Sequence, residues 1–366
     1  MFHMECSQNQ SYSITNADDI FSPEKDYMLS GGDKFPGSKR FVIIDKNVES
    51  IYFHKINTYF KMRDIKTCYA ICKPGDKEKS IKNYIEILEK LCDFDVKRVG
   101  EPIIAIGGGV TTDIAGFIAS TYRRGVPHIK VPTSLMGYVD ASVGIKTGIN
   151  FGPFKNRVGT FEFPREVLLY KEFLKTLDYE NIINGVGEIV KLAIIMDCDL
   201  FDELEKNGKK SISEKFQNSE GEKILKVSIL LMAKELSANI YEYNLCRKVD
   251  FGHTFSPVIE STSGYNIMHG KAVAIDSFLS VCIAYNRGLI NDKELDRVRV
   301  LYGKLSLPMR SDIDCDKLWE SVQERTLHRG GKQNIPLPHG IGKCTFINDL
   351  KFKEVEKSFD LVNKLI

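Results

Sequence analysis

Several things are missing from this sequence, and each absence narrows the reading. No run reaches the ~18 uncharged apolar residues of a membrane-spanning helix, and the opening MFHMECSQNQSYS lacks the apolar stretch of a secretory leader. A cytoplasmic protein without a membrane partner is expected. The nine cysteines (Cys6, Cys68, Cys72, Cys92, Cys198, Cys246, Cys282, Cys315 and Cys344) are odd in number and scattered, and none forms a C-x-x-C pair. That pattern suits a reducing compartment and excludes a thiolate metal cluster. Charge of one sign is absent too: 51 Lys and Arg stand against 49 Asp and Glu. Nothing therefore pulls the chain as a whole toward nucleic acid, and any basic site must be local. There is no internal repeat and no low-complexity tract.

What remains is an ordinary globular composition, 43% hydrophobic over 366 residues, with room for two domains. Residues 1–38 are polar and rich in Ser, Asp and Gly, and read as an N-terminal arm. Over 39–165, short apolar runs at 40–45 (RFVIID), 67–72 (TCYAIC), 102–106 (PIIAI) and 126–132 (VPHIKVP) predict buried strands. Ile81, Tyr84, Ile85, Ile87, Leu88 and Leu91 fall at helical spacing between them. Strands alternating with helices predict an α/β domain with a parallel sheet and crossover helices. From about residue 174 the periodicity becomes 3.6 and long, as in 222–241 and 271–286, so 166–366 reads as a mostly α-helical domain.

Four constellations carry chemistry. Gly107-Gly108-Gly109-Val110 follows a predicted strand and opens a predicted helix. Glycines there let backbone N–H groups approach a pyrophosphate, and a helix N-terminus favours its charge. The run departs from G-x-G-x-x-G, so it is not the usual dinucleotide fingerprint. Asp45, ending the first strand, suits ribose hydroxyls as well as a plain strand-end turn. Residues 139–148 (VDASVGIKTG) place Asp140 and Lys146 in a segment too apolar for an exposed loop. With Lys155, Arg157, Arg123 and Arg124 nearby, an anion site is favoured over a solvated basic face. Glu188 and Lys191 share one face of a predicted helix, and Gly185, Val186, Gly187 and Val190 around them point to burial. Finally, Glu188, His253 and His269 offer the His and carboxylate donors of a catalytic zinc with one open position. Their wide separation in sequence is not a local metal motif.

Six segments taken in order, GGGVTTDIAGFIASTYRRGVP, VPTSLMGYVDASVGIKTGIN, KNRVGTF, NGVGEIVKLAII, VDFGHTFSPVIE and MHGKAVA, resemble the sugar-phosphate cyclases of the dehydroquinate synthase superfamily. The likeness runs from about residue 40 to 345. It implies an α/β N-terminal NAD-binding domain followed by a mostly α-helical C-terminal metal-binding domain, usually in a homodimer. It implies zinc, or cobalt, held by Glu188, His253 and His269. NAD would contact Asp45, Asn47, Asp76, Lys79, Gly108, Gly109, Val110, Asp113, Thr133 and Ser134. Asp140, Lys146, Asn156, Lys191 and Arg247 would line the substrate site, and Arg124 resembles a phosphate-binding arginine that reaches in from the partner of a dimer.

Departures from the family pattern bear on the substrate. Dehydroquinate synthases typically read N-x-G-H-T-x-G-H, where this chain has Asp250 and Pro257 in place of the Asn and the second His. Met232 stands where they carry a lysine. Losing those donors disfavours a carboxylate-bearing substrate, and Asp250 is expected to accept hydrogen bonds from neutral hydroxyls. The D-F-G-H-T-F-S-P run is similar to the branch acting on sedoheptulose 7-phosphate. Within it, 2-epi-5-epi-valiolone synthases carry that Asp with a downstream His, which His328 matches; His339 competes, and Arg329 and Lys332 lie close by. The expected activity is NAD- and zinc-dependent cyclisation of sedoheptulose 7-phosphate to 2-epi-5-epi-valiolone with loss of phosphate, a carbon–oxygen lyase reaction. Dehydroquinate, 2-epi-valiolone and desmethyl-4-deoxygadusol synthesis are the alternatives on the same scaffold. A metal-dependent alcohol dehydrogenase and a non-catalytic binding or scaffold relative are the alternatives from other classes; the phosphate-site lysines disfavour the first, and retention of Glu188, His253, His269, Lys146 and Lys191 the second, with Lys271 keeping it open. Lys271 replaces the usual acid of H-G-E, a change bearing on metal affinity or the dimer contact.

Overall fold

The computed structural model describes residues 2–6, 9–152 and 154–366. The chain forms two compact units, one of Met1–Thr133 with Ile145–Tyr170 and the other of Ser134–Gly144 with Lys171–Ile366.

The first unit contains β1 (Ser13–Asn16), β2 (Lys39–Asp45), α1 (Lys46–Met62), β3 (Lys66–Cys72), α2 (Ile81–Phe94), β4 (Ile103–Gly107), α3 (Gly109–Thr121), β5 (His128–Pro132), β6 (Lys146–Phe151), β7 (Phe154–Phe161) and β8 (Glu166–Leu169). Six strands form a sheet in the order β1-β8-β5-β4-β2-β3, and every pairing in it is parallel. The α/β expectation holds. The apolar runs of β2, β4 and β5 are continuous because helices cover both faces of such a sheet. Phe41, Ile43, Ile103 and Ala105 pack in one core with Ile87 and Leu91 of α2 and Ile114, Ala115 and Ile118 of α3. From β2 the chain moves to β3 on one side, then crosses to β4 on the other. The order reverses between β2 and β4, and ligands of open parallel sheets bind outside the carboxyl ends at such a point. Asp45 ends β2 there and Gly107 ends β4. Strands β6 and β7 form a separate antiparallel hairpin.

The polar opening segment is drawn into this unit. Strand β1 pairs along β8 from Ser13↔Glu166 to Asn16↔Leu169, and Ile20, Met28 and Leu29 are fully buried. An edge strand has one unpaired side facing solvent, so its polar sequence carried little strand signal.

The second unit holds α4 (Tyr179–Met196), α5 (Cys198–Ser213), α6 (Ser219–Ser237), α7 (Ser256–Thr262), α8 (His269–Asn286), α9 (Asp292–Leu305), α10 (Cys315–His328), an antiparallel pair β9 (Ile335–Pro338) and β10 (Cys344–Ile347), and α11 (Phe352–Leu365). It is mostly helical, as expected. Residues 134–144 join it although they lie between β5 and β6 in sequence, burying Leu135, Met136, Tyr138, Val139 and Val143. Helices α4 and α8 are buried nearly all round, the mark of central helices. Among the described residues, no helix is long and apolar enough to cross a membrane.

Candidate active site

The crossing of α4 and α8 assembles the candidate metal centre. A Cβ on Gly187 would collide with the carbonyl of Gly270, and one on Gly270 with the carbonyl of Asn184. Only glycine permits backbones to come this close. The side-chain oxygen of Asn184 accepts the N–H of Gly270 at 2.7 Å, so a residue of α4 satisfies one of the orphan donors at the start of α8. Glu188 follows Gly187, and His269 precedes Gly270. The two glycines thereby bring two candidate ligands face to face. His253 arrives on a loop turned by Gly252 at φ +73. That loop is fastened to α8 by Asp276, which accepts from Phe255 N at 2.5 Å and Ser256 N at 2.9 Å.

One ligand atom from each of Glu188, His253 and His269 lies within 4.8 Å of the others, the one such group among the described residues. Glu188 Oε1 is 3.5 Å from His269 Nε2 and 3.9 Å from His253 Nε2. Each ring has its other nitrogen engaged, His253 Nδ1 with the Phe251 carbonyl at 3.1 Å and His269 Nδ1 with Glu260 Oε1 at 2.9 Å. Protons on both Nδ1 atoms satisfy those acceptors and leave both Nε2 lone pairs directed at the Glu188 carboxylate. Glu188 is completely buried, and neither of its oxygens has a hydrogen-bond donor. Lys191 Nζ lies 2.5 Å from Oε2 as an ion pair without hydrogen-bond alignment, and donates to the Val249 carbonyl at 3.1 Å. Burial alone would raise the Glu188 carboxyl, but the opposing influences, the Lys191 ammonium foremost, hold the group below the usual carboxylate range. Burial and the Lys191 charge push His253 down to about 3, which keeps its ring neutral. An ionised carboxylate with bare lone pairs beside two neutral imidazoles is a donor set that fits zinc or cobalt.

Asp250 departs from expectation. Its carboxylate meets Arg247 through Nη2 at 2.6 Å and Nε at 3.2 Å, Arg329 Nη2 at 2.5 Å and Arg325 Nη2 at 3.4 Å. The proposed acceptor of neutral hydroxyls is occupied by three guanidinium groups. A carboxylate this deeply buried must be compensated by charge. Burial raises it, and the three arginines more than reverse that shift. Arg247 pairs with Glu242 as well. His328 is not brought to Asp250: its side chain is 54% exposed, with Nε2 3.6 Å from Glu324. Arg325 and Arg329 are one turn apart on the face toward Asp250, whereas His328 sits about 100° round the helix from Arg329. His339 lies in the β9–β10 turn, its N–H bonded to the Lys343 carbonyl. Met232 is buried in α6. Lys271 pairs with Glu180, linking the first turns of α8 and α4 without touching a candidate ligand.

On the first unit, Gly108 is the N-cap of α3 and offers no side-chain cap, the kind of helix start that suits an anion. Asp45 accepts from Asn47 N at 2.8 Å and Val48 N at 3.4 Å, acting as the cap of α1. Lys79 Nζ donates to Asp113 Oδ2 and to Asn156 Oδ1, each at 2.5 Å, and Lys155 pairs with Asp76 at 3.1 Å. An uncapped helix start between carboxyl strand ends, with lysine and carboxylates alongside, suits a dinucleotide. Val110 lies in the first turn of α3. Thr133 N donates to the Gly107 carbonyl at 3.0 Å, and Ser134 Oγ accepts Gly137 N at 3.1 Å. Lys146 opens β6 and is exposed. Asp140 lies half-buried in the π-helical turn Gly137–Ala141. Arg124 is exposed in a turn at φ +62.

Sequence reading missed Asn184, Glu260 and Arg325. Asn184 stands one helical turn before Glu188, and Arg325 one turn before Arg329, so facing positions were available as a signal. Nothing local pointed to Glu260.

Residues 69–184 match the family described as 3-dehydroquinate synthase N-terminal, and 185–326 match 3-dehydroquinate synthase C-terminal. A 2-epi-5-epi-valiolone synthase of Streptomyces albus is 40% identical over 363 residues, covering 97% of this chain and 88% of the relative. One from an Actinoplanes species is 37% identical over 97% of this chain and 91% of its own length. The solved structure of the 2-epi-5-epi-valiolone synthase of Streptomyces hygroscopicus subsp. jinggangensis, with NAD+ and Zn2+ bound, is 33% identical and superposes with a TM-score of 0.95 over 99% of both chains. Matching domains in order, high coverage and a fitting donor set lead to one conclusion: this chain belongs to the 3-dehydroquinate synthase family of phosphate-eliminating sugar-phosphate cyclases.

Proposed function

We propose that this protein cyclises sedoheptulose 7-phosphate to 2-epi-5-epi-valiolone with release of phosphate, as a cytoplasmic homodimer. The observation that carries the chemistry is the buried Glu188 carboxylate, bare of hydrogen-bond donors and faced by His253 and His269 Nε2. The relatives' activity supports the substrate. When bound, zinc supplies a Lewis acid for a substrate oxygen and NAD a hydride acceptor that is regenerated within the cycle.

The substrate's secondary alcohol is oxidised transiently, which acidifies the neighbouring C–H. Phosphate leaves by elimination, serving as its own base; the carbonyl is reduced again, the ring opens, and an intramolecular aldol addition closes the carbocycle. Glu188, His253 and His269 would hold the metal. Lys191, its ammonium fixed by Glu188 and the Val249 carbonyl, would present positive charge to a developing oxyanion. Lys146 and the partner's copy of Arg124 would grip the phosphate, while Asp140 and Asn156 would orient hydroxyls. Asp45, Asn47, Asp76, Lys79, Gly108, Gly109, Val110, Asp113, Thr133 and Ser134 would receive NAD. Asp250 would act through Arg247, Arg325 and Arg329, setting where their donors point, with His328 left at the rim.

The test is incubation of purified protein with NAD, zinc and sedoheptulose 7-phosphate, in parallel with 3-deoxy-arabino-heptulosonate 7-phosphate. Phosphate release from the first substrate alone, no accumulating NADH, and the product's NMR spectrum would establish the reaction. Turnover of the second substrate alone would refute it.

A further inference from the structure

We propose that Asn150 is a positioning residue that couples the cofactor side of the first unit to Asn156, so that one side chain sets both. The proposal rests on the reading of Asp76 and Lys79 as NAD contacts and Asn156 as a substrate contact.

Asn150 lies near the end of β6, where the β6–β7 register is irregular between Ile149 and Phe151. Irregularities of this kind redirect a side chain out of its ladder. Its backbone N–H donates to the Lys79 carbonyl at 2.7 Å. Its Nδ2 donates to the Asp76 carbonyl at 2.9 Å, and its Oδ1 accepts the Asn156 N–H at 2.9 Å. Asn156 has φ +51, a left-handed conformation that asparagine tolerates but that needs local support. Its side-chain oxygen receives Lys79 Nζ at 2.5 Å, and the same ammonium reaches Asp113. The bonds close a ring: Asn150 to the 76–79 turn, Lys79 to Asn156, and Asn156 back to Asn150. The 76–79 turn and Asn156 thus share one support, the Asn150 side chain, through two separate bonds.

The rest of the β6–β7 hairpin is paired from Lys146↔Phe161 to Ile149↔Val158 without the Asn150 side chain. Substitution should accordingly change geometry at the ring and leave the fold intact. Aspartate is isosteric with asparagine, keeps the acceptor for Asn156 N–H and loses the donor, setting an anionic oxygen against the Asp76 carbonyl. Alanine removes both contacts.

The experiment uses the zinc-loaded full chain as N150D and N150A. It measures NADH binding by fluorescence titration, phosphate release from sedoheptulose 7-phosphate at saturating NAD, and the thermal midpoint. N150D should weaken NADH binding roughly tenfold, the effect of one lost hydrogen bond, with kcat within about twofold. N150A should weaken NADH binding similarly and lower kcat by a further factor of roughly ten. Both should melt near the wild type. Variants that bind and turn over like the wild type would overturn the proposal, as would equal losses in both variants tracking a collapse of the thermal midpoint. Wild-type protein that binds no NADH would instead refute the reading on which the proposal rests.

Discussion

Glu188 and His269 owe their positions to two buried helices in backbone contact, whereas Lys79, Asp113 and Asn156 owe theirs to side chains bonding across turns and a hairpin. In the helical unit, precision comes from what is absent: two glycine positions with no Cβ let α4 and α8 touch, and the candidate ligands Glu188 and His269 sit one residue from that contact. In the α/β unit, precision comes from polar bonds, with Lys79 shared between Asp113 and Asn156. Close-packed backbone does not yield, while hydrogen-bonded side chains can re-form in another rotamer. The first design suits a metal that must be held to a fraction of an ångström, the second a cofactor that must enter and leave.

The sharpest way to break the comparison is to place the same methyl group in each region. Gly187→Ala drives a Cβ into the Gly270 carbonyl, which has no room to move; a loss of about 3 kcal/mol is expected, together with zinc falling below one equivalent by elemental analysis. Gly116→Ala in α3 drives its Cβ against the methyl of Thr147, a buried side chain held through its hydroxyl by Thr160. Helix propensity returns up to about 1 kcal/mol there against an overpacking cost of about 1–3 kcal/mol, so urea unfolding should detect a loss of about 1–2 kcal/mol with zinc retained at one equivalent. Equal effects would remove the distinction.

Glu260→Ala probes the helical unit one step out from the ligands. It deletes the acceptor that fixes His269 Nδ1 and should weaken zinc binding about 10- to 100-fold in competition with a chromophoric chelator, with the far-UV spectrum unchanged.

Asp276 tests whether the fastening of the His253 loop responds to pH. Burial raises its carboxyl to about 6, against lowering by the Phe255 and Ser256 amides. Folded protein therefore holds this proton more tightly than unfolded protein. The stabilisation is complete below about pH 4 and is lost as pH rises through about 6. Asp276→Asn should flatten the thermal midpoint over that interval; a slope matching the wild type would contradict the assignment.

The smallest effect is expected at Lys271→Ala. Its partner Glu180 is 61% exposed, and such pairs contribute about 0.5 kcal/mol. Zinc affinity should be unchanged by the same chelator assay, making this family departure a replacement of surface charge.

The parallel sheet and the helical second half were legible because burial leaves a period in the sequence, as in the runs ending at Asp45 and Gly107. The candidate ligand set was legible through flanking residues, Gly187 beside Glu188 and Gly270 beside His269. Asp250 was visible as a departure, yet its three arginine partners were not. Arg325 and Arg329 lie far along the chain, and only folding makes them its partners.

By itself the sequence determined which segments are strands or helices, since burial leaves its period in short-range spacing, and its six motifs carried the resemblance to the family and to its candidate ligand set. Tertiary structure decided that β1 extends the sheet, that residues 134–144 pack with the helices, that Asn184 caps α8, and that Asp250 is held by three guanidinium groups. Those outcomes depend on which buried charge or unpaired N–H meets which partner, and low-dielectric burial makes that choice costly to leave unmade.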